Sequence, residues 1–137
     1  MPAPFRHRLR VRYHECDPQN VVFNGNFLAY GDIAITELYR EAFGSWQAPM
    51  EASGIDLVVA EANVRYLAPL HFDDEFDLIA TLTRIGETST TTLVHIERDG
   101  EEVAEVTLRH VVVDAKSRRK APIPPKLRAG LEPYSDG

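Results

Sequence analysis

Between Phe27 and Phe43 the apolar residues of this chain change period. Phe27, Gly31, Ala34, Leu38 and Ala42 recur every three to four positions, the spacing of one stripe on a helix of about 17 residues and about 25 Å, and Gly44 stands where such a helix would stop. On either side the period is two. Phe5, His7, Leu9, Val11 and Tyr13 alternate with Arg6, Arg8, Arg10 and Arg12, which predicts a half-buried strand over 5–13. Further strands are predicted over 58–67, 75–84, 88–97 and 101–114, with Asp99-Gly100 as a two-residue hairpin turn between the last two. One early helix that does not alternate with strands excludes a βαβ arrangement. The expected class is α+β, a five-stranded antiparallel sheet wrapped around one long helix. A single helix whose stripe contains the small residues Gly31 and Ala34 cannot cover five strands alone, so a homodimer or a dimer of dimers is expected.

The length of 137 residues fits a single domain over 1–137. A net charge of -6 argues against binding nucleic acid through phosphate neutralisation. Ten of the 15 bases lie in two terminal runs, 6–12 and 116–128, and these would form a positive patch if the fold joined them; each run reads equally well as solvated surface. The single cysteine excludes an internal disulfide framework and a thiolate zinc cluster. No apolar run approaches the roughly 20 residues of a membrane span, and the N-terminal arginines are followed by no leader-like apolar stretch. A cytoplasmic protein without a membrane partner is expected. Residues 45–57 carry no clear pattern, and the prolines of A-P-I-P-P predict an extended surface tail.

Chemistry is expected in the loop H-E-C-D-P-Q-N-V-V-F-N-G-N, residues 14–26, where turn formers surround a short apolar plug. Asp17 lies just after a strand and a few residues before the first helical amides. A carboxylate sharing a dry space with unpaired helix N–H groups can attack a carbonyl, or deprotonate water, while the amides take up the developing negative charge. An aspartate at this spacing also serves simply as a turn former. Asn24 or Asn26 can cap the helix. Cys16 lacks a paired base, and His14, His71, His95 and His110 fall into no ligand spacing, so neither a thiol nucleophile nor a metal centre is expected. No Gly-rich phosphate loop or G-x-S-x-G elbow is present, and no cofactor is called for.

The run Y-H-E-C-D-P-Q-N-V-V-F-N-G-N-F at 13–27, the helix segment A-I-T-E, the stretch V-V-A-E-A-N-V-R-Y-L-A-P-L-H-F-D-D-E-F-D-L at 58–78 and the ending V-D-A-K-S-R-R-K-A-P-I-P-P-K-L-R at 113–128 resemble the hotdog-fold acyl-CoA thioesterases of the 4-hydroxybenzoyl-CoA thioesterase type. The likeness spans about residues 6–131. It implies a hotdog fold, hydrolysis of an acyl thioester to a carboxylic acid and free coenzyme A, and sites between subunits. In the family pattern a tyrosine is followed four residues later by the catalytic aspartate, which maps the role onto Asp17 through Tyr13. Asn20, Val21, Val22 and Phe23 match the residues after it, and Asn24, Gly25 and Asn26 match the helix start that polarises the thioester carbonyl. The chain is set apart from the pattern at Asn20, where glycine is usual, at Asn24, where histidine or asparagine is seen, at Phe27, where tyrosine is common, and at Ile35, where an arginine is frequent. Asn20 can still take up the left-handed backbone that a glycine would supply.

The resemblance also implies that the nucleotide end of coenzyme A lies near the surface, with Arg65, Arg118 and Arg119 as its candidate contacts beside Lys116 and Lys120. Val22, Phe23 and Tyr30 are candidates for the acyl end. Two other readings remain open at this level: a thioesterase acting on acyl carrier protein, and a non-catalytic acyl-CoA binder or structural dimer.

Overall fold

A computed structural model describes residues 4–136. Strand β1 (Phe5–Arg10) and a 3-10 turn (Tyr13–Glu15) lead into helix α1 (Gly25–Phe43). A short helix α2 (Ala48–Ser53) precedes strands β2 (Ile55–Tyr66), β3 (Glu75–Ile85), β4 (Ser89–Arg98) and β5 (Glu101–Asp114), and helix α3 (Pro125–Leu131) and a 3-10 turn (Glu132–Tyr134) follow. All five strands form one antiparallel sheet in the order β1-β3-β4-β5-β2. This is the hotdog architecture, with the sheet curved over the long helix.

The sheet wraps α1 because one face of each strand is apolar. Leu78, Ala80, Leu82, Val94, Ile96, Val106 and Leu108 are buried against the helix stripe of Phe27, Tyr30, Gly31, Ala34, Ile35, Leu38 and Tyr39. Gly31 sets the approach of helix to sheet, since a Cβ there would stand 2.7 Å from Val106 Cγ1. Asp99 and Gly100 both take positive φ, 51° and 80°, as the β4–β5 hairpin turn requires.

Several boundaries differ from expectation. β1 stops at Arg10 rather than Tyr13, because the Glu15 carboxylate captures the Arg12 N–H at 2.8 Å and winds the next residues into a turn. α2 occupies part of the segment that carries no pattern in the sequence, with Pro49 in its first turn and Gly54 at φ 64° ending it. β2 begins three residues earlier than predicted, at Ile55. The tail is not wholly extended: Pro125 starts α3, where its fixed φ suits a first helical position, and Leu127 and Leu131 are buried.

β2 carries an irregularity between Val59 and Glu61. Leu57 and Val59 face the helix side before it, and Ala62, Val64 and Tyr66 after it, so the alternation is preserved only by the bulge. β2 pairs with β5 alone, and Val59 and Tyr66 remain half exposed on the helix side.

Candidate active site

The loop between β1 and α1 is held by its backbone. The Asp17 N–H donates to Val21 O at 2.9 Å, the Asn20 N–H to Asp17 O at 2.9 Å, and the Val22 N–H to Leu70 O at 2.8 Å. Asn20 adopts φ 65°, the left-handed conformation that its short amide tolerates. Asp17 Oδ1 accepts the Gln19 N–H at 2.8 Å, which fixes the carboxylate while Oδ2 has no protein partner among the described residues. Thus Asp17 does form a turn, and one oxygen remains available.

At the helix start the Asn26 N–H donates to Phe23 O and the Phe27 N–H to Asn24 O. The amides of Asn24 and Gly25 meet no acceptor among the described residues. Neither asparagine side chain caps the helix, contrary to expectation. Asn26 Nδ2 instead reaches back to Glu15 O at 2.8 Å and ties the helix to the loop, while Asn24 O accepts the Tyr66 hydroxyl at 3.0 Å.

Asp17 and Asn24 line the same open pocket of about 420 Å³, with Val21, Val22, Phe23 and Phe27 on one side and Tyr66, Leu67, Ala68 and Pro69 on the other. The lining is mostly apolar, which strengthens any charge interaction inside it. Tyr66 and the following Leu67–Pro69 were not singled out from the sequence. Their signal was the Y-L-A-P run directly after a strand. Tyr66 crosses the Phe27 ring edge to face at 5.5 Å and frames the pocket mouth.

Other expected contacts lie elsewhere. Tyr30 is 1 % exposed in the core and donates its hydroxyl to Glu15 Oε1 at 2.8 Å, so within this chain it does not meet the pocket. Burial and that bond push its phenol far above the usual range. Tyr13 is 77 % exposed and packs edge to face on Phe72 at 5.7 Å rather than lining the pocket. Arg65 points to the outer face of the sheet and pairs with Glu105 at 3.3 Å. Arg118 pairs with Asp56 at 2.6 Å beside the start of β2, and Arg119 follows it in the same loop. Ten residues of strand, about 33 Å, separate Asp56 from Tyr66, so these bases do not reach the pocket of their own chain.

Burial and the flanking Glu15 and Asp17 charges push the Cys16 thiol up. Among the described residues a His–carboxylate grouping does occur, His95 with Glu102 at 2.5 Å and Glu105 at 3.9 Å, on the outer sheet face and apart from Asp17. A larger depression of about 590 Å³ lies between the end of β3 and α3, but its Arg128 is committed to the Ile85 and Gly86 carbonyls. It contains neither Asp17 nor the free amides.

The thioesterase-like superfamily profile matches residues 11–131. The acyl-CoA thioester hydrolase YbgC of Escherichia coli is 31 % identical over 128 residues, 91 % of this chain and 93 % of that protein. A 1,4-dihydroxy-2-naphthoyl-CoA hydrolase of Thermosynechococcus vestitus is 26 % identical over 134 residues, covering 96 % and 91 % of the two chains. The crystal structure of a hypothetical protein from Aquifex aeolicus superposes with a TM-score of 0.87 at 26 % identity, covering 93 % of this chain and 99 % of that one. No helix among the described residues is long and apolar enough to cross a membrane. The chain belongs to the thioesterase-like superfamily and is a hotdog-fold thioester hydrolase.

Proposed function

We propose that the chain is a single-domain, cytoplasmic acyl-CoA thioesterase of the 4-hydroxybenzoyl-CoA thioesterase type, with Asp17 as its catalytic carboxylate. The observation that carries this reading is the sharing of one mostly apolar pocket by Asp17 and Asn24, whose unpaired amide stands at the start of α1 next to that of Gly25. A thioester carbonyl oxygen placed at the Asn24 and Gly25 N–H groups has its carbon polarised, and the charge that develops on attack falls on preorganised donors. Asp17 then acts in one of two ways. As nucleophile it forms a mixed anhydride and expels the coenzyme A thiolate, and water hydrolyses the anhydride; as general base it takes a proton from the attacking water. Coenzyme A as the carrier is supported by the names of the E. coli and T. vestitus relatives.

The working unit is a homodimer, or a dimer of such dimers. Support comes from the unpaired edge of β2 and the exposed Val59 and Tyr66 beside it. Two β2 strands pairing antiparallel about a twofold at mid-strand bring Tyr66 of one copy opposite the region of Leu57 in the other. The second copy's Arg118 and Arg119 then approach the pocket that they cannot reach in their own chain, and are available to the phosphates of coenzyme A.

Asp17→Asn tests the assignment. Turnover of a panel of acyl-CoA esters should fall by about 10² to 10⁴ with the fold retained. Undiminished hydrolysis by a well-folded variant ends the reading.

A further inference from the structure

The two sides of the Asp17 pocket differ in how firmly they are held. On one side is the start of α1, where Asn24 makes no side-chain cap and the Asn24 and Gly25 amides meet no acceptor among the described residues. The first peptide groups of such a helix have little of their own to fix their orientation. On the other side is the end of β2, which is rigid. Tyr66 stands opposite Ala104 in the β2–β5 ladder, and the next two amides, of Leu67 and Ala68, both donate to Val103 O, at 2.9 and 3.1 Å. The Tyr66 ring is set further by its edge-to-face contact with Phe27.

A hydrogen bond joins the two sides. The Tyr66 hydroxyl donates to Asn24 O at 3.0 Å, a shorter bond than the one of 3.3 Å that the same carbonyl accepts from the Phe27 N–H. The Asn24 carbonyl and the Gly25 N–H belong to one planar trans peptide and point in opposite directions. Holding the oxygen therefore aims the N–H outward from the helix start. The same bond draws electron density onto the carbonyl oxygen, which makes the Gly25 N–H a stronger donor.

We infer that Tyr66 is a positioning residue for the hydrolysis: its hydroxyl aligns and polarises the Asn24–Gly25 peptide, so that the Gly25 N–H receives the charge developing on the thioester oxygen. The inference rests on the thioesterase reading and deepens it. The ester carbonyl carries little charge before attack and much more in the transition state, so the hydroxyl acts on turnover rather than on ester binding. The ring is a wall of the pocket and serves bound ester and transition state alike.

Tyr66→Phe separates the two contributions, because it keeps the ring against Phe27 and removes only the hydroxyl. For an acyl-CoA ester that the unaltered protein hydrolyses, kcat should fall by about 10- to 100-fold with KM held within about twofold, a smaller loss than outright removal of an oxyanion donor. An unchanged kcat, or an effect confined to KM, overturns the inference. A second measurement compares two unreactive analogues of acyl-CoA by calorimetric titration. One carries a trifluoromethyl ketone, whose hydrate presents a tetrahedral oxygen to the amide; the other is a thioether with no carbonyl oxygen. Tyr66→Phe should weaken the ketone by about the factor lost in kcat and leave the thioether unchanged. Equal losses for the two, or none, overturn the inference. An inactive Asp17→Asn beside a fully active Tyr66→Phe removes this inference and leaves the thioesterase reading standing. A fully active Asp17→Asn ends the Asp17 assignment alone, and the analogue pair still decides the role of Tyr66.

Discussion

The Tyr30 hydroxyl donates to Glu15 Oε1 at 2.8 Å, and this buried contact joins the middle of the active-site loop to the second turn of α1. The same carboxylate receives the Arg12 N–H, and the Glu15 carbonyl receives the Phe23 N–H and the Asn26 amide. Glu15 is thus the point to which both ends of the loop are fastened, two residues from Asp17. Tyr30→Phe leaves a buried carboxylate short of its donor. The expected cost is about 1.5–3 kcal/mol in urea unfolding, with a fall in kcat/KM as the carboxylate and the free amides lose their fixed separation. Unchanged stability and activity would show that the loop is held by its backbone bonds alone.

The left-handed backbone at Asn20 separates two substitutions that a composition argument would rank alike. Asn20→Gly should be tolerated with little change in the unfolding midpoint. Asn20→Val should lose about 1–2 kcal/mol, because a branched Cβ opposes φ 65°. Activity should fall with it, since the turn carries Asp17 O and Val21.

At Gly31 the constraint is space. A methyl group there meets Val106 Cγ1 at 2.7 Å, so Gly31→Ala should cost about 1–3 kcal/mol despite the better helix propensity of alanine. The reading is a lower urea midpoint at unchanged slope. A more stable variant would mean that the helix can lift from β5 without penalty.

His110 makes stability depend on pH in a definite direction. Burial holds its folded value below the unfolded one of about 6.5, so as pH falls the unfolded chain takes the proton first. The contribution is complete above the unfolded value and is lost as pH drops through the window toward the folded one. Asp32, facing the ring, narrows that window without closing it. Stability measured from pH 8 to pH 5 should decline across this range, and His110→Phe should flatten the decline.

Ala62 is exposed on β2 close to the expected twofold. Ala62→Lys sets two like charges against one another across it, so sedimentation equilibrium should find a folded monomer for the variant where the proposed dimer is expected for the unaltered protein. An unchanged mass would reject pairing through this edge.

Much of this architecture is written locally in the sequence, and the rest is not. β5 is legible because Ala104, Val106, Leu108, His110 and Val112 fall on alternate positions and Asp99-Gly100 marks its start; α1 is legible because one stripe runs its whole length. The α3 helix was hidden by prolines, which stop a ladder but also start a helix. Asp17 and the helix start were legible because they sit in one short loop. Tyr66 was not, because the bulge at Val59–Glu61 decides which β2 residues face α1, and no alternation pattern predicts a bulge. Glu15 was missed because its partner Tyr30 is fifteen residues away.

The two rims of the sheet are unequal. β1 is six residues long and lined with paired arginines, and where β3 outruns it, Ser135 bridges to Leu82. Only the β2 rim is long and bare. A sheet that can be extended on one side has a single opportunity to add strands, and a second copy joined there uses up the same rim on both molecules. Assembly by this route is self-limiting, which lets the chain keep an adhesive strand without the hazard of growing into fibres.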